Sequence, residues 1–109
     1  MGSDPPPPIA GEILIIDDIE TGLSPKNPKR NRPYVVVGCA GRRVRVMPQT
    51  TNTRNGVGVP GGTMDGLGEG GFVPCSTTIR LSLAVHCQCV GHLGHPYLAK
   101  VLSQARPKP

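Results

Sequence analysis

Residues 11–18 (GEILIIDD) put Ile13 and Ile15 on one side of an extended chain and Leu14 and Ile16 on the other, which predicts a first strand with apolar residues on both faces. Tyr34, Val35, Val36 and Val37 form an unbroken, mostly β-branched run, the pattern of a strand buried on both faces. From Arg43 to Met47 the pattern alternates, so that Val44 and Val46 face one way and Arg43 and Arg45 the other. Gly38 and Gly41 lie between these runs and supply a reversal, giving a hairpin. Residues 72–75 predict a short strand and residues 79–89 a longer one, with Leu83, Val85, Cys87 and Cys89 on one face. Pro96 suits the first turn of a helix running to residue 104, where Leu98, Val101 and Leu102 make an apolar stripe. The expected fold is mainly β: about five strands in a small, mostly antiparallel barrel or curled sheet, with one C-terminal helix.

The remaining segments read as connections. Residues 19–31 carry the breakers Gly22, Pro25 and Pro28, and residues 53–71 are a long glycine-rich loop without the spacing of a phosphate-binding P-loop. The head, residues 1–10, holds four consecutive prolines and reads as a disordered or polyproline arm; residues 105–109 read as a loose tail. Residues 11–104 are then the single folded domain. With two Tyr, one Phe and no Trp, its core must be aliphatic and modest, and oligomerisation would help to stabilise it. The head lacks the basic-then-apolar order of a secretory leader, and no run is long enough to span a membrane. The expected location is cytoplasmic, with the four cysteines reduced.

Charge sharpens the picture. Lys26, Lys29, Arg30, Arg32, Arg42, Arg43, Arg45 and Arg54 fall in one stretch that contains no acid, whereas the acids lie between Asp4 and Glu20 and at Asp65 and Glu69. A block this asymmetric suits a polyanion, above all nucleic acid; the plainer alternative is a solvated basic surface. In an antiparallel hairpin the start of one strand lies beside the end of the next, so Arg32 and Thr50 are expected at the same end. Arg32, at a strand start, is not expected in the core. Cys75, His86, Cys87, Cys89, His92 and His95 are clustered in sequence and could hold zinc, but no Cys-x-x-Cys pair occurs, and Cys87 and Cys89 also suit half-buried apolar positions. No metal or cofactor is assigned.

Gly11-Glu12, Arg32-Pro33 ahead of the valine run, and Pro48-Gln49-Thr50-Thr51 resemble, in that order, the core motifs of the MazF/PemK toxin family. The resemblance covers roughly residues 11–104 and is most specific over 11–52. It implies an SH3-like barrel and a metal-independent endoribonuclease that cuts single-stranded RNA as a homodimer, leaving a 2′,3′-cyclic phosphate and a 5′-hydroxyl. It also implies a cognate antitoxin whose acidic tail occupies the RNA groove. Such cleavage needs a base for the 2′-hydroxyl, a cation or donors for the phosphoryl oxygens and an acid for the leaving oxygen. By the resemblance Arg32 and Thr50 are the catalytic pair, and Lys26, Lys29, Arg30, Arg43, Arg45, Thr51 and Arg54 are placed on the RNA. The chain departs from the family pattern in having no acid or histidine in residues 26–31 and no Arg-x-Asp in residues 73–77, so no general base is assigned. His86 is a candidate, although a lone histidine in a strand is more often packing. A second reading is a non-catalytic module that binds nucleic acid or a partner through the basic face, with zinc as a possible stabiliser.

Overall fold

A computed structural model describes residues 6–22, 30–50, 57–59, 70–72, 76–95 and 97–104. Its centre is the expected hairpin, longer than the hydrophobic runs alone: β2 (Arg32–Ala40) pairs antiparallel with β3 (Arg43–Thr50). The reversal sits at Gly41 and Arg42 rather than at Gly38, and Gly41 takes a φ of 60°, which glycine adopts without a steric cost. Gly38 marks a bulge instead, since the pairing passes from Val36↔Val46 to Gly38↔Arg45 and leaves Val37 as the extra residue. On the other side of β2 lies β1 (Glu12–Ile16), and beyond it β7 (Cys89–His92). The free side of β3 is shared: its first half pairs with β6 (Thr77–Arg80), its last two residues with β5 (Gly70–Phe72), which in turn pairs with β4 (Val57–Val59).

Every pairing is antiparallel, so the mainly β expectation holds. Five strands, in the order β7-β1-β2-β3-β6, form the main sheet, and no pairing among the described residues joins β7 to β6, so the barrel is not closed.

Two stretches differ from expectation. The glycine-rich segment contains the hairpin β4–β5, which is held by backbone pairing such as Gly58↔Gly71 and therefore left little side-chain signal. Residues 79–89 are not one strand. β6 runs antiparallel to β3, so Arg80 meets Arg43 at the very start of β3 and the partner strand ends there. The next backbone donor, Leu81 N, reaches the turn carbonyl of Arg42 at 2.8 Å, and the chain coils into α2 (Leu81–Ala84) before resuming at β7. A further short helix, α1 (Asp18–Thr21), follows β1 where a loop was expected.

The central strands are buried on both faces. Ile13, Val35, Met47 and Leu93 pack on one side against Leu98 and Val101 of α3 (Tyr97–Gln104). On the other side lie Leu14, Ile16, Tyr34, Val36, Val44, Val46, Ile79 and Ala84. Burying Leu98 and Val101 contributes about 1.5–3 kcal/mol each, an upper bound, and this docks α3. Leu102, expected in the same stripe, is 40% exposed and adds little. At the head, Pro8 is buried, and Ile9 and Glu12 close a turn through Glu12 N to Ile9 O at 3.1 Å. No helix among the described residues is long and apolar enough to cross a membrane.

Candidate functional site

The two aspartates that follow β1 and open α1 organise the entrance to β2. Asp17 Oδ1 accepts a hydrogen bond from Asn31 N at 2.8 Å. Asn31 is the one non-glycine residue with positive φ (55°) among those described, a conformation that Asn tolerates better than most. This fastened turn delivers Arg32 to Asp18. Arg32 Nε donates to Asp18 Oδ1 at 2.8 Å and to Oδ2 at 2.9 Å, while Nη1 donates to the carbonyl of Gln49 at 2.8 Å. One guanidinium thus ties α1 to the last residues of β3. Its Nη2 makes no hydrogen bond to a described residue.

The anionic partner is fully enclosed: the Asp18 side chain is 0% exposed and that of Arg32 15%. Tyr34 completes the network by donating to Asp18 Oδ1 at 2.8 Å, and its hydroxyl lies 2.7 Å from Thr21 Oγ1. Thr21 Oγ1 is in turn 3.0 Å from the carbonyl of Asp18. Burial pushes the Tyr34 phenol well above its usual pKa, and the Asp18 hydrogen bond and negative charge push it further, so it stays protonated as a hydrogen-bond donor and does not act as a base.

Arg32 and Thr50 are at one end of the hairpin. Tyr34 pairs with Pro48, and two more residues of the same register set Arg32 opposite Thr50. The bond from Arg32 to Gln49 fixes that proximity, while the side chain of Thr50 lies outside the described residues, as do Lys26, Lys29, Thr51 and Arg54. Arg30 is exposed two residues before Arg32. Arg43 and Arg45 are not part of this end; seven residues of strand separate Arg43 from Thr50, roughly 23 Å at 3.3 Å per residue. Arg45 Nη2 donates to Ser76 Oγ at 2.9 Å. His86 does not approach Arg32 along the hairpin either: it lines a separate cleft with Arg42 and Arg43 at the turn end.

Compared with family models, curated proteins and solved structures, the chain matches none.

The groups that sequence reasoning missed are Asp18, Thr21 and Tyr34. The pair Asp17-Asp18 was visible as the polar end of a strand, but nothing in its spacing pointed to Arg32. Arg32 was expected outside the core; instead it is largely buried against a charge, because α1 folds back over the start of β2. Of the cysteine and histidine cluster, Cys75 lies outside the described residues, Cys87 is half-buried and Cys89 is an exposed free thiol; no three potential metal ligands come together among the described residues.

Proposed function

We propose that this protein is a metal-independent endoribonuclease that cleaves single-stranded RNA and inhibits growth, the toxin of a toxin–antitoxin pair. The observation that carries this reading is the fixed guanidinium of Arg32, held by Asp18 and the Gln49 carbonyl beside the strand end bearing Thr50. A cation held before the substrate arrives costs no reorganisation when charge builds on the phosphoryl oxygens, and that is what makes such a group effective. Asp18 is then a positioning residue, while Arg32 Nη2 and the Thr50 hydroxyl are the donors to the scissile phosphate. Lys26, Lys29, Arg30, Thr51 and Arg54, close in sequence to this end, would meet flanking phosphates. In this reading the active form is a cytoplasmic homodimer, as in the MazF/PemK family that the motifs resemble, and an acidic antitoxin segment would silence it.

A second reading, a non-catalytic RNA-binding module, is favoured by one specific feature. The carboxylate in contact with Arg32 is already engaged by Arg32 and Tyr34, so it offers no evident general base. Incubating the pure protein with a long RNA in EDTA, followed by end-group analysis, separates the two. Fragments with 2′,3′-cyclic phosphate ends are expected. Arg32→Lys keeps a charge for Asp18 but loses the planar fork, and should slow single-turnover cleavage by roughly 10²–10³-fold, with a smaller loss for Thr50→Ala. Intact RNA with the wild type would leave the binding module as the function.

A further inference from the structure

At the turn end of the β2–β3 hairpin, Arg42, Arg43, Arg80, Ser82 and His86 line an open cleft of about 850 Å³. We propose that this cleft binds a single strand of nucleic acid through its phosphodiesters, at a site separate from Arg32 and independent of whether Arg32 supports cleavage.

Three observations carry the proposal. Arg43 and Arg80 are direct cross-strand partners, and Arg42 adjoins them in the turn. Like charges directly opposite each other in a sheet are destabilising, so the fold tolerates a repulsion that an external anion would relieve. Among the described residues no acid lines the cleft. Finally, the arrangement is braced: Leu81 N donates to Arg42 O at 2.8 Å, so the turn and α2 are tied together and the arginines stand on a fixed frame.

The chemistry of the ligand follows from the lining. Guanidinium forks match phosphate oxygens in pairs, and Ser82 and His86 add further hydrogen-bonding groups. The cleft is larger than one phosphate requires, and its remaining wall is apolar, from Leu81 and Val85, which suits the sugar and base of a nucleotide. Among the described residues no Phe, Tyr or Trp lines it, so affinity rests mainly on charge and is tolerant of sequence.

The test uses fluorescence anisotropy of the full chain with two labelled 12-nucleotide probes, a 2′-O-methyl RNA that cannot be cleaved and a DNA of the same sequence, over a range of salt. Both probes should bind, with comparable salt dependence. The triple variant Arg42→Gln/Arg43→Gln/Arg80→Gln should bind at least tenfold more weakly at low salt. Its slope of log K against log salt should be shallower by about two, three contacts at ~0.7 each. Its melting temperature should not fall, because a like-charge contact has been removed. The corresponding triple lysine variant should keep most of the slope, and Lys100→Gln, on the exposed side of α3, should leave it unchanged. Arg80→Gln alone should lower the slope by about 0.7, which keeps the test decisive if the triple variant is unstable. An unchanged slope in the glutamine variants would overturn the proposal. So would displacement of the probes by polyglutamate as effectively as by unlabelled RNA of equal charge, which would make the cleft an acidic-peptide site.

Discussion

Arg32 and Asp18 lie 14 residues apart in sequence and form a charged pair, Nε to Oδ1 at 2.8 Å, with the carboxylate wholly enclosed. Two charges removed from water gain little net stability over apolar residues of similar shape, but taking away one partner leaves the other buried and uncompensated. The pair therefore restricts how Arg32 can be studied, since its removal affects the fold as well as any chemistry.

Arg32→Ala should destabilise the protein by about 3–5 kcal/mol, the cost of taking the guanidinium away from an enclosed carboxylate. For a domain of this size that is a fall in Tm of more than ~10 °C. Arg32→Lys should lose much less. Thermal unfolding followed by circular dichroism at neutral pH is the measurement; an alanine variant that melts within a few degrees of wild type would mean that the pair is not structural.

Tyr34 predicts an alkaline limit. Its phenol is protonated in the folded state well above the unfolded value of 10.0, chiefly because it is buried. Between those two values the unfolded chain has released a proton that the folded chain retains, so stability is fully present below about pH 10 and declines as pH rises beyond it. The decline is at most ~1.4 kcal/mol per pH unit for one group. In Tyr34→Phe this component should vanish, leaving a shallower loss above pH 10 on a baseline lowered by about 1 kcal/mol at neutral pH for the missing hydrogen bond. Urea titrations of both proteins from pH 8 to 11 would show it, and parallel pH profiles would contradict it.

The three described cysteines should differ in reactivity. Burial raises the pKa of Cys87, and the charges of Glu20 and Asp17 raise it further, while its Sγ lies 3.4 Å from the carbonyl of Leu83. Cys39 and Cys89 are exposed. Iodoacetamide at pH 8, followed by peptide mapping, should alkylate Cys39 and Cys89 well before Cys87, since the thiolate is the reacting form. Equal rates would mean that the Cys87 environment is open.

Gly11 should not accept a side chain. Its φ is 99°, and a Cβ there would meet His92 Cε1 at 2.8 Å and the carbonyl of Leu93 at 2.9 Å. Its own carbonyl also accepts from Leu93 N at 2.7 Å, so the backbone cannot move away freely. Gly11→Ala should cost on the order of 1–3 kcal/mol from the backbone conformation alone, with the close contact adding to it. Gly22→Ala is the comparison: it has a similar positive φ (69°), but a Cβ there would meet no atom of the described residues within 4 Å, and it should cost less. Chemical denaturation of the two variants would distinguish them.

Local pattern determined the middle of this molecule. The valine run and the alternation around Val44 and Val46 require extended chain, a two-sided core and an antiparallel return, and the antiparallel geometry alone sets Arg32 beside the end of β3. The stripe of Leu98 and Val101 likewise specified a helix, because its period is set by the helix itself. Tertiary structure decided the rest. Whether residues 79–89 continue as a strand depends on how far β3 extends beside them, a property of another segment. The hairpin of β4 and β5 is held by backbone groups that every residue carries. The burial of Arg32 depends on α1 folding back to present Asp18, and the convergence of Arg42, Arg43 and Arg80 depends on β6 ending at the turn of the hairpin. Periodicity records which way a side chain faces along its own strand or helix; which charge it meets is set by the packing of segments distant in sequence.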